Sequence, residues 1–106
     1  MGLFRRRKIE NPEVLARINQ RAIKYVATRN EDGTEYVLGH SGSINIKGEE
    51  IICFSEGKDV FRCSIYDVKV GELLSKDGVR LSKVNEDGSV YSVIAYYVYR
   101  RWKNGL

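Results

Sequence analysis

"VRLSKVNEDGSVYSVIAYY", residues 79–97, places two strand-forming stretches on either side of Asn85-Glu86-Asp87-Gly88. β-Branched and aromatic residues favour strands, and Asp-Gly supplies the backbone conformation that a tight hairpin turn requires. We therefore predict a β-hairpin here. "IKYVATR" (23–29) and "TEYVL" (34–38) flank Asn30-Glu31-Asp32-Gly33 in the same way, which predicts a second hairpin. An internal duplication or a shared turn preference would each explain the likeness of the two turns.

The chain between the two hairpins is divided into short strands by turn residues such as Gly48, Gly57 and Gly78. Spacings of 8 to 12 residues between turns are typical of antiparallel sheets, and several strands, such as residues 51–54, are apolar on both faces. We predict an α+β, mostly β fold. An N-terminal helix packs on an antiparallel meander that forms a small, partly open barrel.

The predicted helix begins at Asn11, an N-cap residue that is followed by Pro12 and Glu13. Apolar residues then recur with helical spacing, which predicts a helix over about 12–23 and a strand beginning there. Beside the apolar stripe we expect a row of basic side chains, namely Arg17, Arg21 and Lys24.

Positive charge is concentrated at the two ends of the chain. The net charge is +4, yet residues 9–99 carry 11 basic and 14 acidic side chains. We predict a basic flexible arm over 1–10 and a single helix-plus-β-barrel domain over 11–104. The start lacks an apolar signal segment, and the longest apolar run, 93–99, is too short to span a bilayer. We therefore expect a cytoplasmic protein without stable membrane association.

The two cysteines, Cys53 and Cys63, are expected to be free. Placing Ile52 and Phe54 on the buried face with Phe61 puts Cys63 on that face and Cys53 on the opposite one, which disfavours a disulfide. Two cysteines and one histidine are also too few for a structural zinc site, so we expect no metal. No motif for a cofactor is present, and we expect none.

The segment "LGHSGSI" (38–44) resembles the serine-hydrolase elbow, but it lacks the chemistry of one. His40 is the only histidine and is adjacent to Ser41, whereas a catalytic triad needs a base that arrives from elsewhere in the sequence. We predict no catalytic residues. Gly39 and Gly42 instead predict a bulge or a tight turn between two strands. A weaker alternative is an anion-binding loop formed by Gly39, His40, Ser41 and Gly42.

The C-terminal strand is the main candidate for a partner-binding surface. It contributes Tyr91, Tyr97, Tyr99, Arg100, Arg101 and Trp102, to which the basic row Arg17, Arg21 and Lys24 is added. Such tyrosines commonly bury their rings in the core, but they also form protein interfaces. Alternatively, rings and guanidinium groups along a strand bind RNA or single-stranded DNA, with the basic termini holding phosphates.

"GSINIKGEEIICF" (42–54) and "VFRCSIYDVKVGEL" (60–73) are similar in strand rhythm to small bacterial pleckstrin-homology-like domains. Residues 36–102 as a whole resemble a set of short uncharacterised bacterial proteins. The resemblance implies a module that binds proteins or acidic lipids, and it assigns no functional residue. We accordingly expect a binding or interaction module without catalytic activity. Its expected partner is a protein, either a second copy of the chain or a different one, and the alternative is nucleic acid.

Overall fold

The computed structural model describes residues 9–30 and 32–98 as one helix and seven strands. The elements are α1 Pro12–Ile18, β1 Arg21–Arg29, β2 Glu35–Lys47, β3 Glu50–Ser55, β4 Lys58–Ser64, β5 Lys69–Glu72, β6 Gly78–Val84 and β7 Val90–Tyr97. The predicted class, mostly antiparallel sheet with one helix, is confirmed.

The sheet consists of two antiparallel meanders joined through their first and last strands. Its strand order is β4-β3-β2-β1-β7-β6-β5, so β1 pairs with β7 although these strands are far apart in the sequence. The outermost strands, β4 and β5, do not pair with each other among the described residues. The sheet is therefore not closed, and the predicted single meander is wrong at β4–β5, where the chain crosses from one edge of the sheet to the other.

The sheet coils so that the edge strand β4 approaches the β6–β7 hairpin. The Tyr91 hydroxyl donates to the Val60 carbonyl (2.9 Å), and the Lys83 ammonium donates to the Arg62 carbonyl (3.0 Å). The ring of Phe61 stacks on Tyr91 at 6.0 Å between centroids. Side chains thus satisfy two carbonyls of β4, which reduces the tendency of this edge to pair with another chain.

The helix is shorter than predicted. It ends at Ile18, because Asn19 is extended and Gln20 has a φ of 67°, so the predicted extension to residue 23 is wrong. The next residues pair with β2 and β7 instead, and these ladder bonds outweigh the helical pattern of the sequence. Asn11 stands at the N-cap, but its side-chain amide donates to the Val70 carbonyl of β5 (3.0 Å) and not to the helix.

Both predicted hairpin turns are confirmed, and their geometry is the same. The Asn30 amide donates to the Thr34 carbonyl (2.8 Å), and the Gly33 amide donates to the Asn30 carbonyl (3.0 Å). Equivalent bonds of 2.7 and 2.9 Å recur in the β6–β7 turn at Asn85, Gly88 and Ser89. Each glycine has a φ of 90°, which other residues rarely adopt.

The faces assigned to β3 from the sequence are wrong, although both cysteines are free as predicted. Cys53 is fully buried opposite Phe61, whereas Ile52 is half-buried and Phe54 is 41% exposed on the outer side. Cys63, half-buried, also packs against the core. Because β3 carries apolar residues on both of its faces, the sequence pattern could not show which face is buried. In the structure Cys53 lies opposite the buried residue Ile44 of β2, so the face with Cys53 is the buried one.

Candidate functional site

The predicted aromatic surface of β7 faces the core. Tyr97 is 6% exposed, and the Arg21 guanidinium lies 3.9 Å from the centroid of its ring. Tyr91 is half-buried against Phe61 and bonded to β4. The predicted nucleic-acid surface therefore lacks these two rings, and the other four residues of that set, Tyr99, Arg100, Arg101 and Trp102, lie outside the described residues.

The predicted basic row does not lie on one helix, because α1 ends before two of its members. Arg17 belongs to α1 and forms an ion pair with Glu72 of β5 (2.8 Å). Arg21 and Lys24 belong to β1, and both are exposed. The structure thus places Arg17 and Arg21 near Tyr97. The pKa of the Tyr97 phenol is raised, mainly because the phenol is buried.

A second aromatic cluster, which the sequence reasoning missed, lies on the outer face of the sheet, the side away from the hydrophobic core. Tyr25 and Tyr96 stack at 4.6 Å between ring centroids. The Tyr96 hydroxyl donates to the Glu35 carboxylate (2.6 Å), and Arg29 donates to the same carboxylate oxygen (2.8 Å). Tyr96 alternates with Tyr91 and Tyr97 along β7, so its opposite orientation was the available signal.

This cluster shifts the proton affinities of its members in opposite directions. Burial, followed by the bond to the Glu35 carboxylate, raises the pKa of Tyr96 from 10.0 to about 12. The Tyr96 hydroxyl and then Arg29 lower the pKa of Glu35. Because the folded pKa of Tyr96 exceeds the unfolded value, its contribution to stability is present below pH 10.0 and is lost as the pH rises through about 12.

Replacing Glu35 with glutamine is expected to lower the pKa of Tyr96, because the phenolate then loses a neighbouring negative charge. The measurement is an NMR titration of the Tyr96 ring resonances, which should respond at lower pH in the variant than in the wild type. Glu50→Gln is the matched control, since Glu50 pairs with Arg62. An unchanged titration in Glu35→Gln would contradict the coupling.

The predicted turn at Gly39 and Gly42 does not form, because both residues lie within the continuous strand β2. The predicted alternative, a bulge, occurs just before it: Val26 pairs with Gly39 and Ala27 with Val37, which leaves Leu38 as the extra residue. A side chain would be crowded at both glycines, because a Cβ on Gly39 would lie 2.5 Å from the Ser55 hydroxyl oxygen and a Cβ on Gly42 would lie 3.0 Å from Cα of Ser55.

The loop predicted to bind an anion lies against a carboxylate of the chain itself. The His40 amide donates to the Glu56 carboxylate (2.7 Å), and the Ser55 hydroxyl donates to the Ser41 carbonyl (2.7 Å). Ser41 has a φ of 61°, which is strained for a residue other than glycine. An external anion would have to compete with Glu56 for the His40 amide, so an anion site here stays a prediction.

One edge of β2 is unpaired along half of its length. β3 pairs with β2 only over residues 42–47, so residues 35–41 have β1 on one side and no described strand on the other. Three consecutive apolar side chains are exposed there: Tyr36 by 67%, Val37 by 48% and Leu38 by 39%. Such an apolar, unpaired edge is a template for another strand.

The direction of the free main-chain groups follows from the first hairpin. The Asn30 amide donates to the Thr34 carbonyl, so the main chains of these residues face each other. Residues of an antiparallel pair alternate between facing the partner strand and facing away from it. The amides and carbonyls of Glu35 and Val37 therefore face away from β1, toward the unpaired side.

Comparison with known proteins gives no match: no family model, no curated protein and no solved structure is similar to this chain. Within residues 9–30 and 32–98, no helix is long and apolar enough to cross a membrane. In the same part of the chain, no group of three His, Cys, Asp or Glu side chains is placed to hold a metal ion.

Proposed function

We propose that this protein is a non-catalytic, cytoplasmic interaction module that self-associates by strand addition at the free edge of β2. The observation that carries the proposal is the unpaired edge at residues 35–38, on which the apolar side chains of residues 36–38 are exposed. An extended strand added there gains main-chain hydrogen bonds and covers exposed apolar side chains.

The second copy fits this edge because the free groups are self-complementary. Antiparallel pairing about a two-fold axis at Tyr36 places Glu35 opposite Val37 of the other copy and Val37 opposite Glu35 of the other copy. Both residues direct their main chains outward, so each of these two pairs exchanges both hydrogen bonds. Tyr36 then lies opposite its own copy in the closer, non-hydrogen-bonded position, where aromatic pairs stabilise sheets.

The proposal extends to architecture, family and compartment. The contacts of Tyr91 and Lys83 with β4 support a partly open barrel, with β4 drawn toward the β6–β7 hairpin. A place among pleckstrin-homology-like modules agrees with a role in binding. Two free cysteines, with burial raising the pKa of Cys53 to about 12, agree with a reducing compartment such as the cytoplasm.

Replacing Val37 with glutamate is expected to convert the dimer into a 12.2 kDa monomer, because position 37 lies opposite Glu35 of the other copy and like charges directly opposite each other destabilise a strand pair. The matched control is Val84→Glu, which replaces another exposed valine near the tip of the β6–β7 hairpin and should leave the dimer intact. Light scattering after size-exclusion chromatography measures the mass. A wild-type protein that stays monomeric at its highest workable concentration overturns the proposal.

A cross-linking variant tests the register. Tyr36→Cys, in a Cys63→Ser background, is expected to form an intermolecular disulfide on mild oxidation, because opposing non-hydrogen-bonded residues lie closest together. Val84→Cys in the same background should not. A dimer that forms without cross-linking at position 36 would overturn this arrangement of strands.

A further inference from the structure

We propose that a groove on the outer face of β1, β6 and β7 binds a phosphate monoester. The groove has a volume of about 250 Å³ and is lined by Arg29, Asn30, Arg80, Ser92 and Ile94. Its position follows from the register: Arg80 lies opposite Ile94, and Ile94 lies opposite Ala27, two residues before Arg29.

Arg29 and Arg80 both line this groove, and the donors of their guanidinium groups are largely unused within the described residues. Arg80 is exposed and forms no ion pair within the described part of the chain. Arg29 contacts Glu35 through one terminal nitrogen, and Glu35 is held in turn by the Tyr96 hydroxyl. The Arg29 side chain is thus anchored at the side of the groove while its remaining N–H groups stay available.

A serine pair supplies a neutral donor at the same place. The Ser82 and Ser92 hydroxyl oxygens lie 2.7 Å apart across β6 and β7. Only one of the two hydroxyl protons can lie between these oxygens. The other hydroxyl therefore retains a proton that it can donate to a ligand.

The chemistry of the lining selects an oxyanion. Within residues 9–30 and 32–98, the polar side chains that line the groove are two guanidinium groups, a hydroxyl and an amide; all of them carry donors, and none is a carboxylate. Guanidinium groups bind phosphate oxygens through paired hydrogen bonds. At about 250 Å³ the groove exceeds the size of a bare phosphate ion, and the remaining volume would hold the organic part of an ester.

The first experiment uses inorganic phosphate as the probe on the ¹⁵N-labelled full chain at low salt. We expect saturable shifts of the Arg80 and Ser92 amide resonances. Arg80→Gln should weaken binding about tenfold or more, because hydrogen bonds to charged groups are lost. The matched control is Lys47→Gln, which removes one positive charge from the same face, outside the groove. Arg29 is left intact, because its removal would leave Glu35 without its ion pair.

The second set of measurements identifies the source of the phosphate. O-phosphoserine in a short peptide and a nucleoside 5′-monophosphate both present a monoester, and the one that binds more tightly than inorganic phosphate names the ligand class. If neither does, the assignment to a monoester is overturned. Absence of saturable binding, or equal binding by Arg80→Gln and wild type, overturns the site itself. This groove is distinct from the free edge of β2, so its failure leaves the proposed self-association standing.

Discussion

Replacing Phe61 with alanine is expected to lower the free energy of unfolding by about 3–5 kcal/mol. Phe61 is 2% exposed, lies opposite Cys53 and stacks on Tyr91. Truncation removes buried apolar surface and leaves a cavity, which the surrounding strands cannot fill because their ladders hold them in place. Urea denaturation followed by circular dichroism measures the change.

Phe54→Ala is the matched control for this prediction, because it deletes the same side chain from the neighbouring strand. Phe54 is 41% exposed on the outer face. We expect a loss of about 1 kcal/mol or less, as for substitutions at exposed positions. A loss from Phe54→Ala as large as that from Phe61→Ala would contradict the face assignment of β3, because the sequence pattern placed both rings on the buried face.

Replacing Gly42 with alanine is the second change with a large expected effect, at about 3 kcal/mol or more. A Cβ at this position would overlap the Phe54 carbonyl oxygen and lie 3.0 Å from Cα of Ser55. Both neighbours are backbone atoms, so β3 must move away from β2 at the pair Gly42–Ser55. The expected result is a lower midpoint of urea denaturation.

Gly71→Ala separates this steric effect from the general effect of removing a glycine. Gly71 lies in β5, and no atom lies within 4 Å of a Cβ built there. Alanine also restricts the unfolded chain, so we expect Gly71→Ala to be neutral or slightly stabilising. Equal destabilisation by both substitutions would contradict the close approach of β3 to Gly42.

Much of the fold could be predicted where the signal is local. The turns at Asn30 and Asn85 form because glycine three residues later accepts a positive φ, which depends on these few residues alone. The start of α1 at Pro12 is a similar local effect. Its end is not, because the segment after Ile18 is compatible with helix and strand, and pairing with β2 and β7 decides between them.

The candidate surfaces were less predictable than the fold. Alternation along β7 separates Tyr96 from Tyr91 and Tyr97, but it does not show which side faces the core. Only the structure shows that Tyr96 joins the outer cluster with Glu35. The free edge of β2 had no sequence signal, because it exists only where β3 ends opposite Gly42. Likewise, Arg29 and Arg80 are far apart in the chain and meet only because β7 pairs with both β1 and β6.

The sequence by itself determined the fold class of the protein and its two hairpin turns, since these depend on residue type and on neighbours within a few positions. The tertiary structure decided which face of each strand is buried, where the sheet stays open and which charges meet. The physical reason is that burial and strand pairing depend on contacts between residues that are distant in the sequence, such as those between β1 and β7. Alternating side chains along a strand can turn either set toward the core until the partner strand fixes the register.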